Sequence, residues 1–341
     1  MDVFKKLSLM VCFAVMVIGL GAQTGKKYYT DDQLEPFGEN GLYGYRVKAT
    51  KSVVIRPQYE RAFQFKKGLA YVKKDGKYGY INKAGNVVIP IIYEGLVRNE
   101  SEDYIGYKLN GVWGYVDSKG KVVIPAQYED VGIFHCGLAC IKQNGLWGYI
   151  NKQNVMVIQP QFNYAGSFME DVASVRKAGR YAYIDSKGQL LTPFVYDEAW
   201  GMTDGMGYVK QNGKIGYVNR AGQLVIPLQF EDAWSFHDGW ASVKKDGKWG
   251  FIDKQGTYVI EPAFDQTGPM FLHGYCRVAK AVSYGMWGPI LKWGYIDRTG
   301  KLVIDYLYSD ASSFDENGIA TVSEGRTRTR LKINTKGEIV K

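Results

Sequence analysis

The sequence is poor in cysteine, which limits how covalent cross-links could hold it together. It contains 4 cysteines in 341 residues, and Cys12 lies in an N-terminal apolar segment. The remaining three, Cys136, Cys140 and Cys276, are an odd number, which argues against a disulfide framework. Cys136 and Cys140 flank a predicted strand segment that spans ~13 Å, too far for a local disulfide. They are predicted to be small apolar strand residues.

The chain also lacks the short motifs that mark common catalytic sites. Gly-x-Ser-x-Gly elbows, His-Glu-x-x-His helices and phosphate-binding Gly-Lys-Ser/Thr loops are all missing. His135, His237 and His273 occupy one repeated position before a glycine, and in an extended array they would lie too far apart to share a metal. The sequence therefore predicts turn histidines, no metal, no cofactor, no catalytic residue and no enzymatic activity.

Only one long apolar run is present, and it lies at the N terminus. Lys5 and Lys6 precede an apolar core at 7–20, and small residues follow it. This pattern predicts a signal peptide over 1–22 and a secreted or periplasmic protein, in solution or associated with the cell envelope. The run is shorter than the ~20 residues of a spanning helix, so an uncleaved anchor is the less favoured alternative. No cysteine follows the small residues, which argues against a lipoprotein.

The charge is only mildly basic. The full chain carries a formal net charge of +9, and removal of residues 1–22 leaves 41 basic and 33 acidic residues. Lysines alternate with aspartates and glutamates in the predicted turns. The pattern predicts a mixed surface with a mild preference for anionic partners and no nucleic-acid footprint.

What the sequence has in abundance is a repeated hairpin, clearest at 110–125. Asn110-Gly111 is a strong signal for a type I′ turn, and an aromatic-Gly-aromatic strand follows it. Asp117 opens a second turn, and a β-branched return strand ends at Pro125. The central glycine recurs with successive spacings of 35, 35, 34, 34, 34, 34 and 44 residues. The repeated position holds Gly44, Gly79, Gly114, Gly148, Ala182, Gly216, Gly250 and Gly294.

A further strand precedes each tight turn, so the unit is predicted to be a three-stranded antiparallel meander. In five repeats a small residue stands six positions before the turn glycine, which indicates that a backbone or a large ring lies against it. These small residues are Ala70, Ala139, Ala173, Gly207 and Ala241. Residues 23–39 are predicted to be a linker, and 40–341 a repeat domain that ends in a partial cap. Aromatic segments such as 125–134 link one meander to the next, and stacking of neighbours is expected to supply most of the stability.

The repeated unit resembles the WG-containing repeat family of bacterial proteins. The naming dipeptide is present in four copies, at Trp113-Gly114, Trp147-Gly148, Trp249-Gly250 and Trp293-Gly294. Tyr181-Ala182 departs furthest from it. The resemblance covers nearly all of 40–341 and implies non-catalytic repeat modules of exported or envelope proteins, with roles in interaction.

The 34-residue period predicts the architecture of the array. Three strands per repeat favour an open, curved β-repeat array. Propeller blades usually have four strands and a longer period, but the link segment could supply a short fourth strand. A closed propeller of seven or eight blades therefore stays as the alternative.

Two further sets of repeated side chains are interpreted as structural. The motif tryptophans could stack on sugar rings, but their strict period favours packing between sheets. Asp117, Asp185, Asp253 and Asp297 alternate with Asn82, Asn151 and Asn219 at the start of the second turn. Either side chain can bond the backbone of the turn, whereas a catalytic carboxylate would not tolerate asparagine.

Two places break the repeat and are the candidate binding residues. Ten extra residues fall near 281–290, an apolar and uncharged segment that contains Tyr284, Met286 and Trp287. It is expected either to fold back as a lid over the sheet or to meet a partner. Near the C terminus, alternation places three arginines on one face of a strand, for edge protection or for anion binding. They are Arg326, Arg328 and Arg330.

These observations predict an exported, non-catalytic repeat scaffold that binds a protein or an envelope polysaccharide. The alternatives are a glycan-active enzyme on a closed propeller and a purely structural spacer. The enzyme would need paired carboxylates in a central channel, and the spacer would lack any aromatic or basic patch.

Overall fold

The computed structural model of the chain describes residues 29–97, 104–286, 288–325 and 329–340. The predicted signal peptide at 1–22 lies outside these residues. Within them the protein is all-β, with nine antiparallel sheets that follow one another along the chain and do not close into a barrel. No helix in the described ranges is long and apolar enough to cross a bilayer.

Seven of the nine sheets have three long strands, sheets 5 and 9 have two, and the link segment adds a short outer strand to every sheet except the first. A 3-10 turn at Asp31–Gln33 precedes sheet 1. The strands of sheets 1 to 3 are β1 (Leu34–Glu39), β2 (Leu42–Val47), β3 (Val53–Tyr59); β4 (Arg61–Ala62), β5 (Leu69–Lys74), β6 (Lys77–Asn82), β7 (Val87–Tyr93); and β8 (Gly95–Val97), β9 (Tyr104–Leu109), β10 (Val112–Asp117), β11 (Val122–Tyr128). Those of sheets 4 to 6 are β12 (Asp130–Val131), β13 (Leu138–Gln143), β14 (Leu146–Asn151), β15 (Met156–Phe162); β16 (Tyr164–Ala165), β17 (Val172–Lys177), β18 (Arg180–Asp185); and β19 (Glu198–Ala199), β20 (Met206–Gln211), β21 (Lys214–Asn219), β22 (Leu224–Phe230). Those of sheets 7 to 9 are β23 (Asp232–Ala233), β24 (Trp240–Lys245), β25 (Lys248–Asp253), β26 (Tyr258–Phe264); β27 (Gln266–Thr267), β28 (Tyr275–Gly285), β29 (Gly288–Asp297), β30 (Leu302–Tyr308); and β31 (Asp310–Ala311), β32 (Ile319–Glu324), β33 (Thr329–Asn334).

The predicted meander is confirmed, and the link segment completes it as a fourth strand in sheets 2, 3, 4, 6, 7 and 8. Sheets 1 and 9 are built from different strands and do not join, so no shared sheet closes the array. The tight turn between the first two long strands is called the tip turn. At Asn110 and Gly111 its φ angles are 51° and 80°, as a type I′ turn requires.

The turn between the second and third long strands has the predicted Asx form. Asp117 Oδ1 accepts the N–H groups of Lys119 and Lys121, both at 2.9 Å. Asn151 does the same for Gln153 and Val155 at 3.0 and 2.9 Å. Aspartate and asparagine interchange here because each supplies the same acceptor oxygen.

The motif glycine marks a bulge where the third strand crosses close to the second. In sheet 4, Trp147 pairs with Phe162 but Tyr149 pairs with Ile158, so three residues of β15 face Gly148. A Cβ at Gly148 would lie 2.5 Å from the carbonyl oxygen of Ile158. At all seven motif glycines the corresponding distance is between 2.3 and 2.6 Å. The glycine is therefore required by backbone contact.

Sheet 5 shows what happens when the glycine is replaced. Ala182 is fully buried, and the segment that should form the third strand makes only two isolated bridges, Tyr181 to Tyr196 and Ile184 to Leu190. The Tyr183 N–H donates instead to Thr192 Oγ1 at 2.9 Å. The methyl group of alanine occupies the space that a third-strand carbonyl fills elsewhere, so this strand is lost.

Neighbouring sheets are joined by an aromatic pair and a hydrogen bond. Tyr149 of sheet 4 donates its hydroxyl to the Gly166 carbonyl at 2.7 Å, and its ring centroid is 4.8 Å from that of Phe168. Gly166 and Phe168 both lie in sheet 5, between its short outer strand β16 and its first long strand β17. The small-residue position lies against the same tyrosine row, because a Cβ at Gly207 would be 2.5 Å from the Tyr183 hydroxyl oxygen. A large ring explains the small residue, as the sequence predicts.

The predicted linker boundary at 39 is wrong. Leu34–Glu39 is a full strand that pairs with Leu42–Val47, and Leu34 is buried. Asp31 also accepts the Gly68 N–H at 3.0 Å and the Lys83 ammonium at 2.8 Å, both in sheet 2. The polar composition of 23–39 conceals this strand because only one of its two faces is apolar.

Candidate functional site

The motif tryptophans pack into the cores between sheets. Trp249 is buried, and Trp113, Trp147 and Trp293 lie against the apolar clusters that join their sheet to the next. Cations cover two of them: Lys108 Nζ is 5.8 Å from the Trp113 ring centroid, and the Arg277 guanidinium is 4.9 Å from that of Trp293. Trp113-Gly114, Trp147-Gly148, Trp249-Gly250 and Trp293-Gly294 therefore act together as fold determinants.

The insertion near 281–290 is an extension of a hairpin. Lys280 pairs with Lys292 and Gly285 with Gly288, so β28 and β29 continue well past the length of the other long strands. In sheet 8, residues 281–291 lie between the paired Lys280 and Lys292. In sheet 7, only Asp246 and Gly247 lie between the equivalent pair, Lys245 and Lys248. Nine of the ten extra residues are thus in this hairpin, and the tenth lies in the link segment before it. We refer to 281–291 as the long hairpin.

The long hairpin projects its apolar side chains into solvent. Tyr284 is 82% exposed and Met286 is 90% exposed, with Val282 and Ile290 about half exposed. Of the two alternatives, the lid is therefore wrong, because a lid would bury these side chains against the sheet. Trp287 lies outside the described residues.

The C-terminal arginine strand is only partly described. Arg326 and Arg328 lie outside the described residues, and Arg330 is an exposed residue of β33, which pairs with β32 in sheet 9. Among the described residues, no hydrogen bond or strand pairing joins Arg330 to the long hairpin of sheet 8. The choice between edge protection and anion binding stays a prediction.

A row of turns forms a cleft that sequence reasoning missed. We call the turn before the first long strand of each sheet the approach turn. The approach turns of sheets 4, 5, 6 and 7 line one cleft of about 340 Å³. Its walls carry His135, Met169, Glu170, Met202, Thr203, Asp204, Phe236, His237 and Asp238.

Two of the three predicted turn histidines line this cleft. His135 and His237 come from sheets 4 and 7, yet both line this cleft, so the array curves with its approach turns inward. His273 is not among the cleft residues. In the described part of the chain, no group of three or more His, Cys, Asp or Glu side chains is placed to hold a metal ion.

The acidic cleft residues tie each sheet to the next. Glu170 of sheet 5 accepts the Gly205 N–H at 2.8 Å and pairs with Arg220 at 2.7 Å, both in sheet 6. Asp204 of sheet 6 makes the same contacts one repeat later, with Gly239 and Lys254. Burial raises the pKa of each carboxyl, but the hydrogen bonds and the cation outweigh burial and leave the pKa below its ordinary value. The sequence does contain a pattern that could have revealed these contacts. Glu170 and Asp204 are 34 residues apart, and each is followed 50 residues later by a basic residue.

The three described cysteines are free thiols in different surroundings. Cys136 is exposed on an approach turn, where its φ of 51° is outside the strand region. Cys140 and Cys276 are buried strand residues, and burial raises their thiol pKa to about 12 and about 11. Cys136 is thus a turn residue, whereas the other two are apolar core residues.

Comparison with known proteins gives one family and one similar fold. The family described as WG containing repeat matches residues 47–78, 78–113, 113–147, 147–181, 181–214, 215–249, 249–280 and 293–326. No curated protein matches the sequence.

Among solved structures, a crystal structure titled as the eukaryotic initiation factor has a TM-score of 0.57 at 12% identity, covering 90% of this chain and 94% of that one. Dihydro-heme d1 dehydrogenase NirN reaches a TM-score of 0.38 at 14% identity, covering 91% and 77% of the two chains. Hsv2p from Kluyveromyces lactis reaches 0.37 at 10% identity, covering 68% and 94%. The first of these is a likeness of fold alone.

Proposed function

Because the chain belongs to the WG-containing repeat family, we propose that it is an exported, non-catalytic scaffold that binds a protein partner through the long hairpin. The observation that carries this proposal is the exposure of Tyr284 and Met286 at the end of an uncharged, structured projection. Exposed apolar clusters of this kind are favoured at interaction sites.

The shape of the long hairpin favours recognition by side chains rather than by strand addition. A bulge interrupts β28 between Ala281 and Ser283, and Pro289 removes a backbone donor from β29. Both features prevent another strand from pairing along these edges. The exposed tyrosine and methionine are left as the groups that a partner would contact.

The base of the long hairpin adds a positive rim to this apolar end. Lys280 and Lys292 stand opposite each other, with Lys280 Nζ 5.6 Å from the Tyr306 ring centroid and Lys292 Nζ donating to the Leu307 carbonyl at 2.9 Å. An apolar centre with charge at its rim is the usual composition of a protein interface. The expected partner surface is an apolar pocket bordered by acidic groups.

Site-specific photocrosslinking in the producing organism tests this proposal. A photoreactive phenylalanine analogue at position 284 or 286 should give one discrete crosslinked protein, whereas the same analogue at Tyr43, which is 42% exposed in sheet 1, should give none. Replacement of 281–291 by Asp-Gly, the turn of sheet 7, should remove the partner without unfolding the array. Equal crosslinking at 43 and 284, or none at 284 and 286, would exclude the proposed interface.

The other parts of the proposal have their own measurements. N-terminal sequencing of protein recovered outside the cytoplasm should begin near residue 23. Hydrolysis of an envelope glycan by the purified protein would contradict the non-catalytic assignment. If the protein were a spacer with no binding role, replacement of the long hairpin would leave the recovery of any associated protein unchanged.

A further inference from the structure

Two exposed tryptophans that are not part of the repeat motif occupy the same position in adjacent sheets. Trp200 precedes sheet 6's approach turn and is 53% exposed, and Trp234 is its equivalent in sheet 7 at 45% exposed. Each backbone N–H donates to the first long strand of its sheet, to Tyr208 at 3.2 Å and to Ser242 at 3.0 Å. Each carbonyl accepts a tyrosine hydroxyl from the preceding sheet, so the backbone is held in the same way at both positions.

The fold does not need an aromatic side chain at this position. Other sheets carry Gly132, Gly166, Gly268 and Ser312 there. In the case of Gly166, the carbonyl still accepts the tyrosine hydroxyl of the preceding sheet at 2.7 Å. Since the backbone contact is made with or without a side chain, this contact between sheets does not require the two indole rings.

The surroundings of the rings are polar. The centroid of the Trp200 ring lies 5.6 Å from that of the Tyr208 ring, at an interplanar angle of 25°. One face of the indole therefore stacks on the Tyr208 ring. Glu198 lies on the same face of its strand and pairs with Lys210 at 3.0 Å. Asp232 holds the equivalent place beside Trp234. Burial first, and then the carboxylates of Glu198 and Asp232, raise the pKa of Tyr208.

From these contacts we propose that Trp200 and Trp234 form a platform for a neutral, β-linked glycan strand, with one sugar ring stacked on each indole. The C–H face of a pyranose is apolar and flat and stacks on an aromatic face, while its hydroxyls hydrogen-bond to neighbouring carboxylates and ammonium groups. Because packed sheets are generally about 10 Å apart, we expect the two indoles to repeat at a spacing that an extended chain of sugars can follow. Lys210 balances the charge of Glu198, and the carboxylate of Asp232 disfavours an anionic glycan.

The proposal predicts that affinity depends on chain length. A hexasaccharide can engage both rings at once, whereas a disaccharide can engage only one, so the second contact becomes intramolecular for the longer chain. Cellohexaose or chitohexaose should therefore bind more tightly than the corresponding disaccharide. Trp200→Ala or Trp234→Ala should each weaken hexasaccharide binding about tenfold and remove its advantage over the disaccharide.

Titration calorimetry and indole fluorescence with these four saccharides are the test. Phe63→Ala is the matched control, because Phe63 occupies the equivalent position of sheet 2 at 45% exposure and has Val97 rather than an aromatic residue in the next sheet. Trp200→Phe should restore part of the binding, and thermal unfolding confirms that each variant is folded. The proposal would be overturned if neither hexasaccharide bound. It would also be overturned if the Trp200→Ala, Trp234→Ala double variant bound a hexasaccharide as tightly as the unsubstituted protein does. An equal loss in Phe63→Ala would do so too. The protein with 281–291 replaced should bind the saccharides normally, so this platform and the long hairpin can fail separately.

Discussion

The backbone contact at the motif glycine predicts a specific cost for adding one methyl group. In Gly148→Ala the new Cβ would stand 2.5 Å from the Ile158 carbonyl oxygen and 2.6 Å from the Pro160 nitrogen, and neither is the end of a flexible side chain. The third strand of sheet 4 must therefore move. Overpacking costs about 1–3 kcal/mol, and strand hydrogen bonds add about 1 kcal/mol each, so we expect a loss of about 2–4 kcal/mol in the free energy of unfolding.

Two substitutions isolate the effect of that contact. Gly38→Ala places a Cβ at an ordinary 3.4 Å from the Tyr43 ring, so its effect should stay within about 1 kcal/mol. Ala182→Gly, the reverse change in the sheet that has already lost its third strand, should cost no more than about 1 kcal/mol.

Chemical denaturation gives the unfolding free energies, and hydrogen exchange locates the change. Because repeat arrays can unfold in parts, exchange of the amides in Met156–Phe162 is the more direct readout. These amides should exchange faster in Gly148→Ala and be unaffected in Gly38→Ala. If Gly148→Ala were no more destabilising than Gly38→Ala, the explanation of both the motif glycine and sheet 5 would be wrong.

Three further predictions concern the contacts between sheets and the thiols. Tyr217→Phe leaves the Trp234 carbonyl without its 2.7 Å donor and should lower the free energy of unfolding by about 1–3 kcal/mol, measured by denaturation; an unchanged value would mean that water replaces the hydroxyl. Glu170→Gln with Asp204→Asn should destabilise the protein at neutral pH. Since both carboxyl pKa values are depressed in the folded state, the difference in melting temperature from the unsubstituted protein should shrink as pH falls through the acid range, and a difference independent of pH would contradict the ion-pair argument. Cys136 should be alkylated by iodoacetamide in the folded protein while the two buried cysteines react only after unfolding, as peptide mass spectrometry would show; equal labelling of all three would contradict the burial.

The features that could be read from the sequence are those with local causes. Asn110-Gly111 has few conformations open to it other than the left-handed pair of a type I′ turn, and the side chain of Asp117 or Asn151 bonds only the backbone beside it. The recurrence of such local signals at a fixed spacing is enough to identify the sheet unit. Even the weakness at Ala182 was visible as a departure from the motif.

The failures came where local composition is ambiguous. The segment 23–39 reads as a polar linker, yet Leu34–Glu39 pairs because β2 offers it a free edge. The composition of the insertion did not decide between a lid over the sheet and a loop that meets a partner, but its two halves pair with each other and so hold the side chains away from the sheet. In both cases the partner strand decided the outcome.

The sequence alone determined the repeat, its strands and turns, and the positions where only a small residue fits, because these depend on residues close to one another in the chain. The tertiary structure decided which side chains meet across sheets. Curvature brings His135 and His237 into one cleft, and stacking leaves Trp200 and Trp234 exposed while Trp249 is buried. A tryptophan has the same composition and propensity in all these places, so its role follows only from what lies next to it in space.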